Sequence, residues 1–170
     1  MNIYRVGGSI RDSLLGKKSS DNDWVVTGSS PEEMKSKKFK QIGSSFPVFL
    51  HPRTNEEYAL ARKEKSTGKG HKDFNFSFSP NVTLEEDLFR RDLTINAIAE
   101  DKNGNLIDPY NGLKDIENKI LRNVSVAFKE DPLRAFRVAR FYAYLDDFKL
   151  HNDLKLELKN ISESGSLSSL

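Results

Sequence analysis

The sequence contains no cysteine, which removes structural disulfides, thiolate zinc sites and thiol nucleophiles together. It has no apolar run near the ~20 residues that a membrane-spanning helix requires, and its N-terminus lacks the basic-then-apolar layout of a secretory signal. No membrane association is expected, and the expected compartment is the cytoplasm. Charge of one sign is scarce as well. The 27 Lys and Arg set against 25 Asp and Glu leave a formal net charge of +2, too little to grip nucleic acid by bulk charge. Any phosphate binding must come from local clusters of basic side chains. What is present is 170 residues with 36% hydrophobic content and 11 Phe, enough to hold a core without staples.

Residues 2–6 are expected to form a first strand, broken by Gly7-Gly8, with Ser9 as N-cap of a helix through Leu15 that Gly16 closes. Trp24-Val25-Val26 has strand character. Ser30-Pro31-Glu32-Glu33 is a capping box with proline at the first helical position, predicting a helix to about Lys38. Residues 46–50 and 57–62 suggest two further strands. Residues 63–81 form a basic, glycine-containing stretch, with Phe74, Phe76 and Phe78 alternating behind it, and are expected to be a flexible loop. Thr83 with Glu86 is a second capping box, opening a helix through Arg90 and beyond. A turn at 102–105, a strand at 106–107, a short helix at 112–118 and a strand at 120–124 follow. Asp131-Pro132 opens a helix to about Leu145; after His151 the pattern weakens, and residues 162–170 resemble a frayed end. Strands and helices in this succession predict an α/β or α+β fold.

Four clusters carry possible chemistry. Gly7-Gly8-Ser9-Ile10-Arg11-Asp12 lies between strand and helix, where free N–H groups meet an oxyanion and Arg11 can fork onto a phosphate; such a turn also serves as a plain strand-to-helix connection. In Asp21-Asn22-Asp23 the two carboxylates face one side of an extended segment. That pair suits Mg²⁺ held jointly with substrate phosphates, although a solvated acidic turn has the same pattern. Glu57 opens the neighbouring strand and offers a third carboxylate to orient metals or take a proton from a hydroxyl, with Glu56 facing away. Arg90-Arg91-Asp92, with Asn96 beyond, matches a triphosphate and a ribose, or an ordinary helix surface. In Glu130-Asp131-Pro132 and the helix after it, Arg134, Arg137 and Arg140 fan over about a third of the circumference, beside Leu133, Phe136 and Phe141. His51, His71 and His151 share no ligand spacing.

These stretches, in this order, resemble the class II CCA-adding enzymes, the tRNA nucleotidyltransferases of the polymerase-β superfamily. The resemblance runs through residues 7–16, 21–26, 46–52, 56–62, 83–97, 108–113 and 130–141. It implies an α+β, polymerase-β-like nucleotidyltransferase head over residues 1–120, a small mixed sheet flanked by helices. Residues 121–170 would begin an all-helical neck that recognises the base. The implied activity is template-independent addition of CCA to the 3′ end of tRNA from CTP and ATP, with release of pyrophosphate. In the family's pattern Asp21 and Asp23 resemble the catalytic ligands of Mg²⁺. Gly8 and Arg11 resemble phosphate contacts, Arg91 a nucleotide contact and Asp92 the carboxylate that steadies the sugar. Asp131 and Arg134 resemble the pair that distinguishes C and A at the base edge, and Arg137 and Arg140 further nucleotide-binding arginines. Residues 63–81 correspond to the mobile loop that assists the switch from CTP to ATP. A poly(A) polymerase or a CC- or A-adding relative would share most of these residues. From another class, a silent nucleotide- or RNA-binding module, or a truncated module needing a partner chain for tRNA, fits as well. Family members continue into a helical body and tail that are absent before Leu170, so the chain is expected to be a fragment or a short natural form with weak tRNA affinity.

Overall fold

The computed structural model describes residues 1–18, 21–42, 48–66 and 74–169. In chain order the strands and helices are β1 (Asn2–Val6), α1 (Gly8–Leu14), β2 (Asp23–Thr27), α2 (Pro31–Ser36), β3 (Lys40–Ile42), β4 (Val48–Leu50), β5 (Glu57–Leu60), β6 (Arg62–Ser66), β7 (Phe74–Phe78), α3 (Leu84–Phe89), β8 (Ala99–Glu100), β9 (Leu106–Ile107), α4 (Gly112–Glu117), β10 (Ile120–Leu121), α5 (Leu133–Tyr144), β11 (Lys149–Leu150) and α6 (Asn152–Glu163). Turns of 3₁₀ helix lie at Thr94–Asn96, Val126–Glu130 and Ser166–Ser169.

Seven strands form a mixed sheet in the order β3-β4-β5-β2-β1-β8-β9. β2 and β5 run parallel, and every other neighbouring pair in it is antiparallel. Alternation along the central strands sends adjacent side chains to opposite faces. Val26 packs with Met34, Phe39, Phe49, Tyr58 and Leu60 on the α2 side. Val25 packs with Val6, Ala61, Leu88, Ala97 and Ala99 on the α3 side. A third cluster joins Leu93 and Ile95 to Leu121, Phe128, Val138, Leu145, Phe148, Leu154 and Ile161. The C-terminal helices are thus seated on the segment that follows α3. This is the α+β architecture expected of the sequence.

Several local expectations change. Ser9 does not cap α1: Gly7 is the N-cap at φ 75, its carbonyl accepting from the N–H groups of Ile10 and Arg11, a left-handed position that favours glycine. Ser9 instead lies inside the helix with its Oγ buried. At α2 the Ser30 hydroxyl accepts from Glu33 N, but the Glu33 carboxylate takes the Ser29 hydroxyl, so only half of the expected box forms. The box at Thr83 is complete. Its helix stops at Phe89, because the chain must extend for Leu93 to bridge Asn123 and for Thr94 N to reach Arg122 O. Residues 63–81 are not a featureless loop: β6 and β7 pair antiparallel from Arg62↔Phe78 to Ser66↔Phe74, and the alternating phenylalanines were the signal. Residues 67–73 between them lie outside the described residues, as does Phe46 of the expected 46–50 strand. β3, an edge strand, and α6 were not anticipated. The chain after His151 is helical, with Leu154 and Ile161 one heptad apart in the core.

Candidate functional site

Sheet register brings the acidic residues to one edge. Val6 pairs with Asp23 and Asp23 with Glu57, so the glycine turn, β2 and the start of β5 meet side by side. Register partners share a face, and residues two apart do too. Asp21, Asp23 and Glu57 therefore belong to one side, and Asn22, Trp24, Glu56 and Tyr58 to the other. Contacts on that second side agree. Trp24 stacks on Tyr58, and Glu56 accepts from Asn22 Nδ2 at 3.2 Å and from the Thr54 hydroxyl at 2.8 Å. Those two hydrogen bonds, Asn22's first, hold the Glu56 carboxyl below its usual range. Asp21, Asp23 and Glu57 line a hollow of about 520 Å³ whose other wall is Asn22 and residues 54–56. Its donors are hard carboxylate oxygens, which suit a divalent cation such as Mg²⁺ and not a soft metal. Among the described residues no group of three or more His, Asp or Glu could hold a metal ion. A cation there would draw its remaining ligands from water or a bound phosphate, as Mg²⁺ commonly does.

Across Asp23 opens a second cavity, about 470 Å³, lined by Gly7, Gly8 and Asn96 and by seven arginines against three aspartates. The arginines are Arg11, Arg62, Arg90, Arg91, Arg134, Arg137 and Arg140; the aspartates are Asp23, Asp92 and Asp131. Such an excess of guanidinium suits a polyanion. Asp21 is not on this wall. It lines the adjoining hollow with Asp23, Ser9, Lys18, Arg140 and Phe141. Asp23 is therefore the residue common to all three spaces.

Arg11 is fixed by Asp12 (Nε to Oδ1, 2.9 Å) and by Asn96 Oδ1 (2.6 Å). Arg91 donates to Asn96 O and to Asp87 Oδ2, while its Nε is buried without a partner. A Cβ on Gly7 would come within 2.9 Å of the Arg91 guanidinium, a second reason for glycine there. Asp92 accepts from Leu93 N, Asn96 Nδ2 and Arg137 Nε, the last at 2.7 Å. Burial pushes its carboxyl up, but the Arg137 charge and these hydrogen bonds prevail and hold it below its usual value. Phe141 lies beneath the guanidinium of Arg11 at 4.9 Å and near that of Arg137 at 6.0 Å. Asp131 accepts from Leu133 N at the start of α5. Arg134 is 6% exposed, its two terminal nitrogens donating to the carbonyls of Ala127 and Arg90. All three arginines of the expected fan line the cavity, Arg134 buried and Arg137 and Arg140 exposed.

The sequence alone did not single out Asp87, Asn96's bridging role, Arg62 as a cavity wall, or Asp12 as the partner of Arg11. For Asp87 the signal was present: an acid three and four residues before Arg90 and Arg91.

Residues 3–122 match the poly A polymerase head domain. A CCA-adding enzyme of Alteromonas mediterranea is 58% identical over all of this chain, which covers 43% of that protein. A multifunctional CCA protein of Pseudomonas fluorescens is 57% identical, with 42% of it covered. The chain thus spans under half the length of these curated relatives. Among solved structures, a CCA-adding enzyme in an apo form superposes with TM-score 0.79 at 28% identity, over 99% of this chain and 42% of that one. The Bacillus stearothermophilus CCA-adding enzyme in complex with CTP gives TM-score 0.70 at 34% identity, over 91% of this chain and 38% of that one. A tRNA nucleotidyltransferase complexed with a primer tRNA and an incoming ATP analog gives 0.73 at 32%, over 99% and 48%.

Proposed function

The chain belongs to the poly A polymerase head domain family, and from that premise we propose that it is the nucleotidyl-transferring part of a CCA-adding enzyme. It would extend the 3′ end of tRNA from CTP and ATP and release pyrophosphate. The observation that carries this reading is the single cavity in which Asp23, the Gly7-Gly8 turn and the arginines of α5 meet. Residues 1–120 form the head in this proposal and residues 121–170 the beginning of the neck. No helix among the described residues is long and apolar enough to cross a membrane, which fits work on tRNA in the cytoplasm.

Nucleotidyltransferases of this family generally depend on a divalent metal. We assign Mg²⁺ to Asp21 and Asp23, where it would lower the pKa of the attacking 3′-hydroxyl and polarise the α-phosphate when bound. Glu57, in register with Asp23, orients that hydroxyl or accepts its proton. Gly8 and Arg11, with Arg91, take up the triphosphate charge as pyrophosphate leaves. Asp92 faces the sugar, its orientation held by Asn96 and Arg137. Asp131 supplies an acceptor and Arg134 a donor fork to the base edge. Because the Arg134 guanidinium is held by two main-chain carbonyls, its orientation is set before a nucleotide arrives. Arg137 and Arg140 complete the nucleotide contacts. The reaction needs no covalent intermediate, only alignment and charge.

The test is incubation of the protein with tRNA lacking its 3′ CCA, offering CTP, ATP or both, followed by sequencing of the added residues. CCA from the mixture, and none from an Asp21→Ala/Asp23→Ala variant, is the expected result. A run of A from ATP alone would reassign the chain to poly(A) synthesis, and CC or A alone to a partial activity.

A further inference from the structure

Asp87 is fully buried, yet each of its partners lies on the wall of the arginine-lined cavity. Its Oδ1 accepts from Arg90 Nε and Nη2 at 3.1 and 2.8 Å and from the main-chain N–H of Arg62 at 3.2 Å. Its Oδ2 accepts from Arg91 Nη2 at 3.4 Å. Enclosing a carboxylate this completely is unfavourable unless its charge and lone pairs are all answered. Burial alone pushes its carboxyl up; the two guanidiniums and the Arg62 N–H outweigh that and hold it ionised below its usual range. The helix does not need Asp87 for its own sake, since Thr83 and Glu86 already satisfy its N-terminus.

We propose that Asp87 is a positioning residue that aims Arg90 and Arg91 into the cavity for the triphosphate of the incoming nucleotide. Through Arg62 N it also ties the first residue of the β6–β7 hairpin to the same wall. The proposal rests on the nucleotidyltransferase reading above. Arg90 is held twice, by Asp87 at its side chain and by Arg134 at its carbonyl. The carboxylate therefore links the triphosphate wall to the base-reading helix, and a tilt of one is felt by the other.

Titration of the full chain with CTP and with CMP, each with Mg²⁺, tests this. Asp87→Asn is expected to weaken CTP about tenfold, the scale of a charge-assisted contact, and CMP less than twofold, because the β- and γ-phosphates alone lose their aimed partners. On an Arg90→Ala/Arg91→Ala background the same exchange is expected to leave CTP affinity within about twofold, since the carboxylate acts through those two groups. Equal weakening of CTP and CMP, or an undiminished effect on the double-alanine background, overturns the proposal in favour of a purely structural role. Should Asp87→Asn not fold, Asp87→Glu displaces the carboxylate by one methylene. It is expected to lower the CTP-to-CMP affinity ratio several-fold, and a wild-type ratio overturns the proposal. A wild-type chain that binds CMP but shows no gain with CTP overturns the nucleotidyltransferase reading along with it. A wild type that prefers CTP, beside an Asp87→Asn that prefers it equally, overturns this inference alone.

Discussion

On the arginine side of the cavity Asp87 and Asp92 are buried and each is bound by a guanidinium and by main-chain N–H groups, whereas on the carboxylate side Asp21, Asp23 and Glu57 are exposed at strand ends. The first side is built before any ligand arrives; its charges are oriented by partners within the fold. The second leaves oxygens facing outward, as befits a cation shared with a substrate. In the proposed reaction, preorganisation falls where the triphosphate would be aligned, and openness where a metal and a hydroxyl would enter.

The contrast is broken most severely at Asp23. Asp23→Ala is expected to lower nucleotidyl transfer by about 10³-fold or more, because the proposed metal would supply several kcal/mol of Lewis-acid stabilisation through it and each ~1.4 kcal/mol is a factor of ten. Thermal stability should hardly change, since the side chain is exposed; a large fall in Tm would show that the acidic edge is structural after all. Arg134→Ala should act on both properties. Loss of two donors to main-chain carbonyls is expected to cost about 2 kcal/mol in denaturant unfolding, and the choice between CTP and ATP should relax. Retained choice in the folded variant would remove Arg134 from base recognition.

Acid titration sharpens the comparison next. The folded-state pKa values of Asp87 and Asp92 are lowered, so their contribution to stability is fully present above the unfolded aspartate value near ~4 and is lost as pH falls through the lower folded values. Tm of Asp87→Asn is therefore expected to fall less steeply than wild type below about pH 4. Parallel curves would mean that Asp87 contributes nothing to acid sensitivity. The smallest effect is expected at the start of α3, where Thr83 lines neither wall. Thr83→Ala removes the N-cap of α3 and should cost about 1 kcal/mol, a few degrees in Tm, with nucleotide affinity unchanged.

The acidic edge was largely legible in the sequence, because a strand's period of two fixes which of Asp21, Asn22 and Asp23 share a side without reference to anything else. The arginine wall was legible as a set of residues but not as an arrangement. Helical spacing placed Arg134, Arg137 and Arg140 in one arc, yet Arg134 is drawn inward by the carbonyls of Ala127 and Arg90, two partners that no local pattern announces. The spacing of Asp87 before Arg90 and Arg91 was legible, but its burial was not, since an acid three residues before an arginine most often marks an exposed helix pair. The early end of α3 and the β6–β7 hairpin follow from pairings with distant or facing segments, which outweigh local helix signals.

By itself the sequence determined the elements whose causes are local: the capped starts of α2 and α3, the turn that requires Gly7, the alternation along β2, and the residue types of the site. Tertiary structure alone decided which charges are buried and which stay open. Burial depends on what other segments bring against a side chain, and the free energy of an ionised group is set by those partners rather than by its neighbours in the chain.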